Sequence, residues 1–159
     1  MFTKYGKTPG FKQVLRDVSS KTCFVRLDDN REPIFEQREL PELTFNATVK
    51  LHGTNAGIGF KSDKEPSYNY SHWFQTRNHI ATSGHFGFTE IPQEEISALF
   101  QELDDNFYLY GDTKLVVYGE WAGQGVQKGV AISQLPKKFY IFAIKEIQGE
   151  NINWYDSSC

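Results

Sequence analysis

The segment Thr48-Val-Lys-Leu-His-Gly-Thr-Asn-Ala-Gly57 constrains this chain more than any other. Residues 42–50 are rich in the β-branched, aromatic and aliphatic side chains that favour an extended backbone, and residues 56–60 resume the pattern. Gly53 sits between them, so the spacing predicts two paired strands joined across a turn, with Lys50 presented at the end of the first. A lysine is a poor nucleophile while protonated, and it becomes useful only where desolvation or another cation lowers its pKa. Gly53 permits close backbone approach to a ligand, and the Asn55 amide can orient phosphates or water. The arrangement suits an amine presented to a nucleotide phosphate. The ordinary alternative is a solvated surface lysine before a turn.

Three further stretches accompany it. Leu115-Val-Val-Tyr-Gly-Glu-Trp-Ala-Gly-Gln-Gly-Val-Gln-Lys128 is an apolar strand running into Gly119-Glu120 and a glycine-rich loop with Gln124, Gln127 and Lys128. Alone it would be a hairpin with a solvated glutamate. Lys138-Phe-Tyr-Ile-Phe-Ala-Ile144 is an alternating strand, in which an aromatic is more often core than ligand platform. Phe74-Gln-Thr-Arg-Asn-His79 carries Arg77, whose guanidinium can grip a phosphate in a two-pronged way that lysine cannot copy.

Lys50, His52, Gly53, Thr54 and Asn55 closely resemble the nucleotidyl-lysine motif of the RNA ligase 2 family of ATP-dependent polynucleotide ligases. The Gly119-Glu120 strand end and its Ala-Gly-x-Gly-x-Gln-Lys loop resemble the family's next element, and the opening Phe2-Thr-Lys-Tyr-Gly6 resembles its start. The resemblance implies that Lys50 is the catalytic nucleophile, that Glu120 holds the ribose and that Phe142 stacks on adenine. Thr48, Val49, Leu51, Asn55 and Arg77 complete the implied nucleotide-binding set. His52 and Lys128 are the implied RNA contacts, and no metal ligand is identified. The implied fold is α+β: an antiparallel β-sheet nucleotidyltransferase, the ATP-grasp-like adenylation domain of a ligase.

Two features depart from the family's pattern. An acidic residue usually follows the stacking phenylalanine, where this chain has Ala143. The family's glutamate-bearing metal strand and its Lys-x-Lys phosphate strand have no counterpart after Phe142. Residues 1–159 are therefore expected to be the front part of an adenylation domain, truncated, split or cut as a partial chain. The corollary is that they neither self-adenylate nor seal efficiently without a complementing carboxy-terminal segment or chain.

The chemistry implied by the resemblance uses ATP and Mg²⁺. Lys50 takes AMP from ATP, passes it to an RNA 5′-phosphate, and a 3′-hydroxyl then seals the RNA ends or nicked duplex. Two other classes stay open: a nucleotide- or RNA-end-binding module that does not seal, and a DNA ligase or GTP-using capping enzyme of the same superfamily. His52, Thr54-Asn55 and the glycine-rich loop favour the RNA ligase branch.

Composition bounds these readings. At 159 residues, 15% of them aromatic, the chain can bury a core. A net charge of −3 gives no global basic signature for nucleic acid, so any RNA contact must be local. Lys4, Lys7, Lys12, Lys128, Lys137 and Lys138 are the candidates, against an equal prospect of scattered solubility charges. Cys23 and Cys159 form neither a disulfide framework nor a zinc spacing, and His52, His72, His79 and His85 form no metal motif. No signal peptide, membrane span or lipidation signal is evident, so a cytoplasmic setting is expected, a phage-infected host included.

The rest of the chain sketches the frame. Residues 11–18 read as either a short helix or a strand-like lead-in. Residues 67–87 read as strand and loop, and residues 114–120, 139–146 and 148–156 as strands, the last a returning hairpin arm. Pro92-Gln-Glu-Glu-Ile-Ser-Ala-Leu-Phe-Gln-Glu-Leu103 predicts a helix: proline in the first turn, acids behind it, and Ile96, Leu99, Phe100 and Leu103 on one face.

Overall fold

The computed structural model describes residues 2–45, 49–62, 70–109 and 111–156. The chain divides into two compact units, one formed by residues 6–49 and the other by residues 1–5 with 50–159.

The smaller unit contains helix α1 (Phe11–Cys23) and an antiparallel pair, β1 (Phe24–Leu27) and β2 (Pro33–Phe35). The ambiguity at residues 11–18 resolves as helix. Phe11, Val14, Leu15 and Val18 recur at the three- and four-residue spacing of a helix face. No residue of α1 is fully buried, although Phe11 meets the Phe45 ring at 5.0 Å. Asp28 shapes the β1–β2 turn, its Oδ1 accepting the N–H groups of Asn30 and Glu32.

The larger unit is a six-stranded antiparallel sheet in the order β5-β4-β3-β6-β7-β8. Its strands are β3 (Thr54–Ser62), β4 (Tyr70–Thr76), β5 (Ile80–Ala81), β6 (Lys114–Ala122), β7 (Lys138–Gln148) and β8 (Asn151–Asp156). Helix α2 (Gln93–Phe107) covers one face. An antiparallel sheet with a helix packed on one face makes this an α+β fold, as the sequence predicts.

Alternation along the central strands creates two unlike faces. Ala56, Ile58 and Phe60 of β3 and Leu115, Val117 and Trp121 of β6 point to the helical side. There they form one core with Ile96, Phe100 and Leu103 of α2 and with Phe88. The predicted helix face is the observed one, with Leu99 at its margin. Pro92 stands one residue outside α2, as the residue that caps it, rather than in its first turn. The helix stops at Tyr108, which adopts a left-handed conformation while its N–H bonds the Asp104 carbonyl.

One predicted pairing is wrong. Residues 42–45, 49 and 50 are not in a strand, and residues 46–48 lie outside the described residues. The partners of β3 are instead β4 and β6, from Ala56↔Thr76 and Asn55↔Glu120 onward. Burying β3 between them satisfies both backbone edges, which a single hairpin cannot do.

Candidate nucleotide site

Antiparallel pairing gathers the ends of four strands at one end of the sheet. Asn55 of β3 is the register partner of Glu120 on β6, which pairs in turn with Tyr140 on β7. Thr76 ends β4 beside Ala56, so Arg77 follows at the same end. The distant sequence elements carrying Asn55, Arg77 and Glu120 therefore meet because the ladder aligns them.

Lys50 is exposed and lies just before β3. Its loop is tied down at Gly53. The Gly53 N–H donates to Glu120 Oε1 at 3.0 Å, and the Gln127 side-chain amide donates to the Gly53 carbonyl at 3.1 Å. A side chain at 53 would collide with the Trp121 carbonyl and the Ala122 methyl, so the close approach requires glycine. Glu120, half-buried, is thus coupled to a residue three positions from Lys50. The bond to Gln127 brings the loop bearing Lys128 to the same place.

The remaining predicted residues divide by environment. His52 and Lys128 are exposed, Leu51 and Asn55 are half-buried, and Val49 is 89% exposed. Thr48 lies outside the described residues. Among the described residues, the side chains of Lys50, His52, Asn55, Arg77 and Lys128 have no hydrogen-bond or ion-pair partner, so they can turn to an anionic ligand.

Phe142 has an unusual position. Tyr118 pairs with Ala143, whereas Gly119 pairs with Ile141, so Phe142 is the extra residue of a β-bulge. It lies away from the α2 core, with its half-buried ring meeting Tyr5 at 5.3 Å and 78°. Tyr5 also meets Tyr118 at 5.1 Å and Trp154 at 5.4 Å. Lys145 completes the aromatic group, with its ammonium 5.2 Å from the Trp154 ring centre. Ala143 itself is buried and pairs with Asp156 on β8.

Sequence reasoning passed over Gln75, Tyr118 and Tyr5. Gln75 and Tyr118 are almost wholly buried, on the face opposite α2. Burial pushes the Tyr118 phenol well above its ordinary pKa, despite the Gln75 hydrogen bond that opposes the shift, so it stays protonated. Polar groups at alternate positions of apolar strands were the available signal, but their partners come from residue 3, more than seventy positions away.

Of the other candidate cations, Lys137 has a structural task. Lys137 donates to the Phe86 carbonyl at 2.8 Å, and the Trp121 indole donates to the same oxygen at 3.1 Å. These bonds hold a turn in which His85 and Phe86 both have positive φ. Lys4 is exposed, and Lys7 and Lys12 belong to the smaller unit. The histidines are dispersed: His72 among the rings of Phe60, Tyr70 and Phe74, His79 against Thr76, His85 near Thr54.

Magnesium fits the described residues poorly as a resident ion. Among them no three His, Cys, Asp or Glu side chains converge, and Glu120 Oε1 already accepts the Gly53 N–H. No helix among the described residues is long and apolar enough to cross a membrane.

No curated protein matches the chain. The family model described as RNA ligase matches residues 43–157, a span that includes Lys50, Arg77, Glu120 and Phe142 and leaves the opening residues outside it. The match covers most of the chain, and with the resemblance to the RNA ligase 2 branch it assigns a nucleotidyl-transfer role: this chain belongs to the RNA ligase family.

Proposed function

We propose that Lys50 carries AMP from ATP to the 5′-phosphate of an RNA end, which is then joined to a 3′-hydroxyl. The unprotonated Lys50 Nζ forms a bond to the α-phosphorus, the bond to the bridging oxygen breaks, and pyrophosphate leaves. The displaced amine proton passes to solvent. A 5′-phosphate oxygen of RNA next displaces the lysine nitrogen, giving AMP joined to RNA through a pyrophosphate. Attack by the 3′-hydroxyl releases AMP and forms the phosphodiester.

The observation that carries this reading is the double tether of Gly53 to Glu120 and Gln127. It restrains the backbone beside the nucleophile against the strand that would hold the ribose. Such restraint converts an encounter into an oriented reaction, which is where most of the rate in phosphoryl-type transfer arises. Arg77 and Lys128 would meet phosphate oxygens, Asn55 would orient them, and Phe142 would carry adenine. Leu51 would line the nucleotide beside the nucleophile, and His52 with Lys128 would face the RNA end.

The test is covalent labelling of the full-length protein by ATP with a divalent metal, read by intact mass. One AMP should be added to the wild type and none to Lys50→Ala. An adduct persisting in Lys50→Ala would refute the assignment.

A further inference from the structure

We infer that the amino-terminal segment is part of the nucleotide site, with Tyr5 acting as the positioning residue that holds the Phe142 ring for adenine. This rests on the reading of Phe142 as the adenine platform. The inference concerns what fixes that platform in place.

The segment is clasped to the sheet by a set of buried polar groups. The Gln75 carbonyl oxygen accepts the Thr3 N–H at 3.2 Å, and the Gln75 amide donates to the Thr3 carbonyl at 2.7 Å. The Tyr118 hydroxyl donates to that same carbonyl at 2.7 Å. The Trp73 indole steadies Gln75 by donating to its oxygen at 3.1 Å. Gln75 and Tyr118 are each 1% exposed, so displacing the segment would strand two buried polar side chains, a costly outcome. The clasp fixes Thr3 and thereby delivers Tyr5, two residues on, to the face carrying Phe142.

Phe142 needs such support. As the extra residue of a bulge it stands outside the regular ladder. Among the described residues, Tyr5 is its only aromatic neighbour, at near-perpendicular planes. Tyr5 is itself buttressed by Tyr118 and Trp154, which stack on each other at 5.7 Å and 29°. A ring held at its edge or on one side by this wall keeps its orientation while part of it remains accessible to a base. Without Tyr5 the Phe142 ring would sample rotations that do not stack, and the base would have to order it on binding.

The experiment is a double-mutant cycle on ATP binding, using Tyr5→Leu, Phe142→Leu and the double variant in the full chain. Tyr5→Leu should weaken ATP by about three- to tenfold, the range of one aromatic pair, while Tyr5→Phe binds as the wild type does. The double variant should bind no more weakly than Phe142→Leu alone, because the two residues act on one contact. Tripolyphosphate, which lacks a base, should bind equally well to wild type and Tyr5→Leu. If Tyr5→Leu does not fold, Tyr5→Met enters the same cycle, since its flexible side chain fills the gap without a ring. Additive losses, or an unchanged Tyr5→Leu beside a weakened Phe142→Leu, would overturn the inference and leave the Phe142 assignment standing. Unchanged ATP affinity in Phe142→Leu would overturn the assignment itself and the inference with it.

Discussion

The two faces of the central sheet are built from the same strands and do opposite work. Toward α2, β6 presents Leu115, Val117 and Trp121 to a close-packed apolar core. On its other face it presents Val116, Tyr118, Glu120 and Ala122, where a buried phenol and a half-buried carboxylate meet backbone groups of distant segments. Alternation by one residue separates a face packed on apolar side chains from one that pairs buried polar groups and carries the proposed site. The difference teaches that burial alone does not identify core. Tyr118 and Phe60 are equally hidden, but one is hydrogen-bonded to Thr3 and the other is packed among aromatic rings.

The strongest challenge to this division is a cavity on the helical side. Phe88 is wholly buried against Phe74, Trp121 and Phe139, so Phe88→Ala should destabilise the protein by about 3–5 kcal/mol. Chemical denaturation would read this directly. ATP affinity of the molecules that remain folded should not change, and a large change would mean that the two faces are not separable.

Glu120→Ala is the corresponding experiment on the other face. It removes the charged acceptor of the Gly53 N–H, and with it the proposed ribose contact. Hydrogen bonds to charged groups are worth about 1.5–3 kcal/mol, which corresponds to a loss of roughly ten- to hundredfold in the rate of adenylation. Single-turnover labelling with ATP would measure it. Glu120→Gln should recover part of the rate, because its carbonyl oxygen still accepts from Gly53. A fall in melting temperature with no loss of rate would make Glu120 purely structural.

Phe142→Ala should act on ligand more than on fold. Loss of a base stack costs about 1–3 kcal/mol, hence about ten- to hundredfold in ATP affinity by calorimetry. A fall in stability as large as that of Phe88→Ala, with ATP affinity intact, would return Phe142 to the core.

The smallest effect concerns acid. His72 lies on the helical side among aromatic rings, and burial lowers its pKa below 6.5. The unfolded chain therefore binds a proton more readily than the folded one. The stability is fully present above about pH 6.5, and it is lost as the pH falls toward the lowered folded value. His72→Phe should flatten the decline in melting temperature between neutral and mildly acid pH. An unchanged slope would place the acid sensitivity elsewhere.

How much of this was readable beforehand differs by element. Helix α2 was legible because Ile96, Leu99, Phe100 and Leu103 mark one face and acids mark its start, all within fifteen residues. Strand β6 was legible as an apolar run, β7 from its alternation and β8 as the returning arm of a hairpin. The pairing of residues 42–50 with β3 was not, because alternation shows that a segment is extended without naming its partner. Lys50, Glu120 and Phe142 stood out through the motifs around them. The Gly53 tether did not, since its acceptor lies sixty-seven residues away.

The sequence by itself determined the local choices: which segments extend, where the helix begins, and which residues are the candidates for nucleotidyl transfer. Those follow from side-chain periodicity and from functional groups that a short stretch contains in full. Tertiary structure decided which strands became neighbours, and so placed Asn55 beside Glu120. It also made Phe142 a bulge and bound Thr3 and Tyr5 to Gln75, Tyr118 and Phe142. The physical reason is that ladder register and the pairing of buried polar groups are satisfied over the whole sheet at once. No single segment contains both members of those pairs.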